Sequence, residues 1–252
     1  MNTHLYIITG ASRGMGQALA QQLILPGNAL LCISRRANDM LAALAEEQQV
    51  PFTQWSADLN DAVQVAEELR AWLAKQQNAY DSATLVNNAG VIPQIAPLSD
   101  MPAADIARAM RVGIEAPMLL TSAFLQATAN WHIPKKVLNI SSGLGRRAMA
   151  SQAGYCAAKA AMDHFTRCLA LEEALKPLGA KVCSLAPGVI DTDMQVQLRS
   201  APDANFPDKA AFVGMKEQGS LTSAHEAAGR LIAYLSRSDF GSSPVADVRD
   251  VA

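Results

Sequence analysis

The sequence predicts an α/β protein, a doubly wound parallel sheet of about seven strands with helices on both faces. Three observations carry that reading. Short β-branched or aliphatic runs alternate with longer segments of helical period from end to end, the pattern of successive βαβ units. Half of the 252 residues are hydrophobic and 17% are charged, enough apolar material for a core on both sides of a sheet. No composition shift, low-complexity tract or internal repeat marks a linker, so residues 1–252 read as one domain.

In chain order, the strands are expected at Leu5–Thr9, Ala29–Ser34, Phe52–Ser56, Thr84–Asn87, Lys136–Ser141, Lys181–Ala186 and Pro244–Val248. The helices between them are expected at Gly14–Leu25, Asp39–Gln49, Asp61–Gln77, Ala103–Ala127, Ala153–Leu175 and Ser223–Ser236. Two segments break the rhythm. Gly90–Pro102 carries Pro93, Pro97 and Pro102, whose fixed φ and missing donors bar regular helix, so it is a loop. Residues 194–220 mix Pro202, Pro207, Gly214 and Gly219 with Met194, Phe206, Phe212 and Met215. That mixture suits either a flap closing over an apolar pocket or a surface insertion with short helices.

Several function classes are disfavoured. Lys and Arg number 21 against 23 Asp and Glu, a net charge of −2 without a broad cationic face for nucleic acid. Neither a basic leader nor 18 consecutive apolar residues appear, so the expectation is a cytoplasmic protein that does not enter a membrane. Cys32, Cys156, Cys168 and Cys183 lie far apart with no CxxC spacing, which fits a reducing compartment. The four histidines never fall at HExxH spacing, and no metal is expected.

The chain leaves its first strand through Thr9-Gly10-Ala11-Ser12-Arg13-Gly14-Met15-Gly16 and enters a helix. Glycines there allow a tight turn and close approach of backbone to a pyrophosphate, which free N–H groups and the positive end of the helix dipole attract. Steric demand of the turn alone also explains glycine; the strand-to-helix context favours the dinucleotide. At the end of the second strand, where an acidic residue would select NAD, the chain reads Ser34-Arg35-Arg36. A hydroxyl and guanidinium groups bind a 2′-phosphate by charge-assisted hydrogen bonds, so NADP(H) is the expected cofactor, with Arg13 able to approach the same phosphate. Arginines simply solvated on a loop are the competing reading.

Tyr155 and Lys159 stand four residues apart on one predicted helix face. A nearby ammonium is expected to lower the phenol from its ordinary pKa near 10. Ser142 ends the fifth strand 13 residues upstream and can face the phenol.

With these segments in place, the chain resembles the short-chain dehydrogenase/reductase family. The glycine turn, Asn87-Asn88-Ala89-Gly90, the serine, the YxxxK pair and Pro187-Gly188-Val189-Ile190-Asp191-Thr192 stand in family order at family spacing over essentially the whole chain. The resemblance implies a Rossmann-type fold in which Tyr155 donates a proton to a substrate carbonyl. Lys159 would tune it and bind the nicotinamide ribose, and Ser142 would polarise the carbonyl. It further implies that Asp58 with Leu59 lies near the adenine, that Asn87 to Gly90 supports the adenine-side ribose, and that Pro187, Gly188, Val189 and Thr192 flank the nicotinamide amide. Read from the residues alone, Asp58 is equally a helix cap and Asn87 a partner of nearby backbone. One departure stands out. The asparagine that family members carry on the helix after the NNAG loop is replaced by Gly113. The expectation is that activity survives on Ser142, Tyr155 and Lys159.

The second half is similar to sepiapterin reductases and benzil-type diketone reductases, through the stretches around Tyr155–Ala161, Leu169–Glu173 and Ala186–Met194. That likeness implies a ketone or vicinal diketone as substrate and places Asp247 where sepiapterin reductases anchor their ring. Asp247 can also simply cap a turn. Met194, Phe206, Phe212 and Met215 predict an apolar, adaptable substrate pocket, with Met194 as a substrate contact. Two alternatives stay open: a reductase of 3-oxoacyl chains or steroids, and a noncatalytic NADP(H)-sensing protein. The small residues of 103–127 and 153–175 suit packing against a second subunit, so a homodimer or homotetramer is expected, although core packing explains them too.

Overall fold

In the computed structural model, which describes residues 3–77 and 79–250, all seven strands form one parallel sheet of order β3-β2-β1-β4-β5-β6-β7. The strands are β1 (His4–Thr9), β2 (Asn28–Ser34), β3 (Phe52–Ser56), β4 (Ser82–Asn87), β5 (Lys135–Ile140), β6 (Lys181–Ala186) and β7 (Val245–Asp247). The helices are α1 (Gly14–Leu23), α2 (Asp39–Glu47), α3 (Ala62–Ala74), α4 (Ala103–Met110), α5 (Ala116–Ala127), α6 (Ala153–Ala174), α7 (Asp193–Arg199), α8 (Lys209–Glu217) and α9 (Ala224–Leu235). Among the described residues no helix is long and apolar enough to cross a membrane.

Period-two alternation sorts the strand side chains into two cores. Leu5 and Ile7 of β1, with Leu31 and Ile33 of β2, join one cluster with Leu69 of α3 and Phe124 of α5. Ile8, Leu30 and Cys32 point the other way, onto Leu19 of α1, Leu41 of α2 and Leu231 of α9. The direction of winding reverses between β1 and β4, parallel neighbours whose carboxyl ends border a shared crevice. There Asn88 closes the seam: its Nδ2 donates to the Thr9 carbonyl at 2.8 Å and its backbone N–H to the Thr9 hydroxyl at 3.0 Å.

Two expectations need correcting. The single helix predicted over Ala103–Ala127 is broken by a π turn at Arg111–Glu115. The cause is Pro117, whose ring conflicts with the carbonyl four residues back at Gly113 and which has no N–H to give. The Ala116 N–H accordingly bonds the Arg111 carbonyl five residues back. The segment 194–220 holds short helices, most of α7 and all of α8, as one of its two readings had it, and the correction there concerns Phe206. It has a small core of its own, in which Phe206 and Phe212 stack with centroids 5.4 Å apart against Leu198 and Ile95. Phe206 is 1% exposed and belongs to this core, so it is not a wall of the pocket as the sequence suggested.

Candidate active site

A cleft of about 1200 Å³ runs along the carboxyl ends of the strands, larger than the usual single-ligand pocket of roughly 300–1,000 Å³. One end is built from the turn after β1. Gly10 takes φ +69°, and a Cβ on Gly16 would lie 2.3 Å from the Gly10 carbonyl oxygen, so only glycine lets the turn close on the helix. Helix α1 has no side-chain cap and no acidic residue in its first turn, which leaves its N-terminal N–H groups free where Gly14, Met15 and Gly16 line the cleft. Ser12, Ser34, Arg35, Asp58 and Leu59 line the same end. This is a basic and hydroxyl-bearing surface beside an uncapped helix, a donor set that fits a phosphorylated dinucleotide. Asp58 both lines the cleft and caps the turn at Leu59–Asp61, accepting from the Asn60 N–H at 3.0 Å.

Asn88, Ala89 and Gly90 continue the wall, and Pro187, Gly188, Val189, Thr192 and Met194 form the facing one. Asn87 instead lies buried beneath, donating to Asn139 Oδ1 at 2.8 Å and Thr121 Oγ1 at 3.0 Å. It ties β4, β5 and α5 together and does not line the cleft. Ser142, Tyr155 and Lys159 meet at the cleft's centre, where β5 ends and α6 begins its second turn.

The electrostatics of that centre differ from the sequence expectation. Burial holds the Tyr155 phenol above its ordinary pKa, the Ser142 hydroxyl draws it back, and the neighbouring Cys156 adds to the rise. Lys159 stands nearby without overcoming that rise. Its Nζ donates to the Ile140 carbonyl at 2.6 Å and stands 5.7 Å from the centre of the Tyr155 ring. Burial brings Lys159 itself down to about 8, against the upward pull of Asp163. The site therefore holds a neutral phenol beside an amine that is protonated at pH 7.

Three expected site residues take other positions. Arg36 is exposed and outside the cleft lining. Arg13 lines the cleft but pairs with Asp193 of α7 at 2.7 Å, both well exposed, and so bridges the glycine turn to the 194–220 segment. Asp247 is buried and gripped by Arg249, whose Nε and Nη2 donate to its two oxygens at 2.8 and 2.6 Å. The guanidinium holds that carboxyl below its usual range, and Arg249, not Asp247, faces the cleft. Arg249 was not anticipated; an arginine two residues after a buried aspartate was the available signal. Gln152, buried at the cleft wall with both amide atoms unpartnered among the described residues, gave no signal in sequence. Among the described residues no cluster of three or more His, Cys, Asp or Glu could hold a metal ion.

Gly113, at the departure from the family pattern, is packed against α6: a Cβ there would lie 2.8 Å from the Ala158 Cβ. No room for a side chain exists between these helices. Gly113→Asn is expected to destabilise the fold by about 1–3 kcal/mol through overpacking, without a large gain in kcat. Thermal melting and steady-state rates across pH check this. A gain of several orders of magnitude in kcat at unchanged stability would contradict it.

Comparison with known proteins follows the geometry. A family model described as short chain dehydrogenase matches residues 4–203. The chain is 35% identical to a benzil reductase ((S)-benzoin forming) of Bacillus cereus over 86% of its length and 88% of that protein's. It is 31% identical to a sepiapterin reductase of Xenopus laevis, covering 98% and 95% of the two chains. Among solved structures, a short-chain dehydrogenase/reductase from Burkholderia vietnamiensis is 34% identical with TM-score 0.66, covering 99% of this chain and 98% of that one. An Agrobacterium tumefaciens structure with bound NADP is 26% identical with TM-score 0.80, covering 98% and 95%.

Proposed function

The chain belongs to the short-chain dehydrogenase family, and from that premise we propose that it is an NADPH-dependent carbonyl reductase acting on a ketone or vicinal diketone, with Tyr155 as general acid. The observation that carries the reading is the meeting of Ser142, Tyr155 and Lys159 in one cleft with an uncapped helix N-terminus.

In this reading the turn at Gly10, Ser12, Gly14, Met15 and Gly16 holds the pyrophosphate. Ser34 and Arg35 hold the 2′-phosphate, Asp58 and Leu59 border the adenine, Asn88 to Gly90 support the ribose, and Pro187 to Val189 with Thr192 border the nicotinamide amide. The NADP of the Agrobacterium neighbour belongs to that protein; the preference proposed here rests on Ser34 and Arg35 standing after β2, where an acidic residue would select NAD. When bound, the reduced nicotinamide supplies the hydride. The chain does the rest. Ser142 and Tyr155 donate hydrogen bonds to the substrate oxygen, polarising the carbonyl, and the phenol then passes its proton to that oxygen. A phenol kept neutral by burial retains the proton it must give. Lys159, protonated below about pH 8, stabilises the phenolate left behind. A second carbonyl next to the first makes its carbon more electrophilic. Met194, Phe212 and Met215 supply an adaptable apolar wall for its substituents.

The benzil and sepiapterin reductase relatives support this substrate class. A panel of benzil, sepiapterin, a 3-oxoacyl thioester and a 3-ketosteroid, read by NADPH oxidation, tests it. The expected order puts the vicinal dicarbonyls first, and preference for the thioester or steroid would contradict it. The reading also includes self-association, supported by Met118 of α5, Leu171 of α6 and Leu175 at its C-cap, which are 45%, 73% and 87% exposed.

A further inference from the structure

We propose that Asp163 is a positioning residue of this site, which clamps the end of β5 against α6 and supplies the counter-charge for Lys159. The inference rests on the reductase reading above. Tyr155, Lys159 and Asp163 are spaced by four along α6 and share one face. Each reaches a different residue of the same strand end. Lys159 Nζ donates to the carbonyl of Ile140 at 2.6 Å, the Ser141 hydroxyl donates to Asp163 Oδ1 at 2.6 Å, and Ser142 meets the Tyr155 phenol. The position of the carbonyl-polarising serine is thus fixed by its neighbour's bond to Asp163. The same Oδ1 accepts the Ser184 hydroxyl of β6 at 2.7 Å, which ties a second strand into the clamp.

Two serine hydroxyls alone do not call for a charge, since an asparagine carbonyl oxygen accepts two hydrogen bonds equally well. Asp163 is 1% exposed, and its Oδ2 has no hydrogen-bond donor among the described residues. A buried carboxylate with a bare oxygen is costly unless a nearby cation compensates it. The charged and titratable groups around the pair are few, and they include the buried Cys183 thiol of β6, which burial and, to a lesser degree, the Asp163 charge push up. Arg146, on the loop after β5, forms an ion pair with Oδ2 at 3.5 Å from the protein rim, one-third exposed, and so shares the carboxylate with Lys159. Tyr155 stands one turn before Lys159, and Arg249 borders the cleft beyond β7. Lys159, one turn before Asp163, is the cation whose protonation the carboxylate favours against burial.

The test is an NMR titration of the Lys159 side chain in cofactor-free protein, followed by kcat and KM across pH, for the parent, Asp163→Asn and Ser141→Ala. Asp163→Asn keeps both serine bonds and removes the charge. The Lys159 midpoint is expected to fall by roughly one pH unit, and the alkaline limb of kcat to fall with it. Ser141→Ala is expected to lower kcat roughly tenfold through misplacement of Ser142, with KM little changed. An unmoved Lys159 midpoint in Asp163→Asn, or a loss uniform across pH that tracks melting temperature, overturns the proposal. Should Asp163→Asn not fold, an unchanged kcat in Ser141→Ala overturns it. A parent protein that reduces no ketone faults the reductase reading instead, and the Lys159 titration still judges Asp163.

Discussion

Tyr155→Phe is expected to lower kcat/KM for ketone reduction by about three orders of magnitude, within the roughly 10²–10⁴-fold range of a positioned general acid. The dissociation constant for NADPH should change little. The variant keeps the ring that packs in the cleft wall and loses only the oxygen that carries the proton. On the proposed mechanism Ser142 still polarises the carbonyl, so a residual rate is expected without the phenol's proton. The pH profile separates this from mere damage to packing. In the parent, activity is expected to fall as Lys159 deprotonates above about pH 8, because the ammonium is what stabilises the departing phenolate. With no phenolate formed, that limb should vanish in Tyr155→Phe. A variant that turns over ketones at the parent rate contradicts the assignment.

Arg35→Asp is expected to exchange one cofactor preference for the other. The guanidinium follows the end of β2 on the cleft wall beside Ser34, in the place where an acidic residue would select NAD. Removing a charge-assisted hydrogen bond costs about 1.5–3 kcal/mol, and an added carboxylate repels the 2′-phosphate besides. NADPH binding should weaken by roughly 10²–10³-fold on those magnitudes, while NADH, with a 2′-hydroxyl for the new carboxylate to accept from, should bind as well or better. Dissociation constants for both nucleotides measure this. An equal loss for the two would show that Arg35 does not read the 2′ position. Arg36 and Arg13 are not expected to compensate, since one lies outside the cleft and the other is engaged by Asp193.

Much of the fold was legible because its signals are local. Strand limits followed from aliphatic runs between turn residues, and β3 and β6 fall on the residues that the pattern named. The glycine turn was legible because steric need and phosphate binding call for the same residues there. What escaped depended on contacts between distant segments. Pro117 was on view inside the helix expected over Ala103–Ala127, yet whether a proline there ends the helix, kinks it or widens one turn depends on how both halves pack. In residues 194–220 the breakers were read correctly as breakers. The short helices between them were one of two readings left open, because what decides for them is a private cluster around Phe206 that only the folded chain assembles.

The same distinction holds at the site. Tyr155, Lys159 and Ser142 announced themselves by spacing, while the electrostatics between them did not. Burial, which raises the phenol and lowers the amine, outweighs the attraction that proximity alone suggested. Asp247 was read as a ring anchor or a turn cap; it caps the turn, accepting the Arg249 N–H at 3.0 Å, and its capture by the Arg249 guanidinium is a matter of side-chain geometry. Asp163 carries no local motif. Only the folded chain shows it joined to Ser141 and Ser184.

The central claim is that this cleft carries out hydride reduction of a carbonyl, and the most direct measurement is isotope transfer in a single turnover. Protein incubated with benzil and NADPH deuterated at the transferable nicotinamide position should yield benzoin bearing one deuterium at the carbinol carbon, with one NADPH oxidised per product. Tight NADPH binding without any label in the product, from benzil or from sepiapterin, would make the chain a nucleotide-binding protein that does no chemistry and would contradict the account.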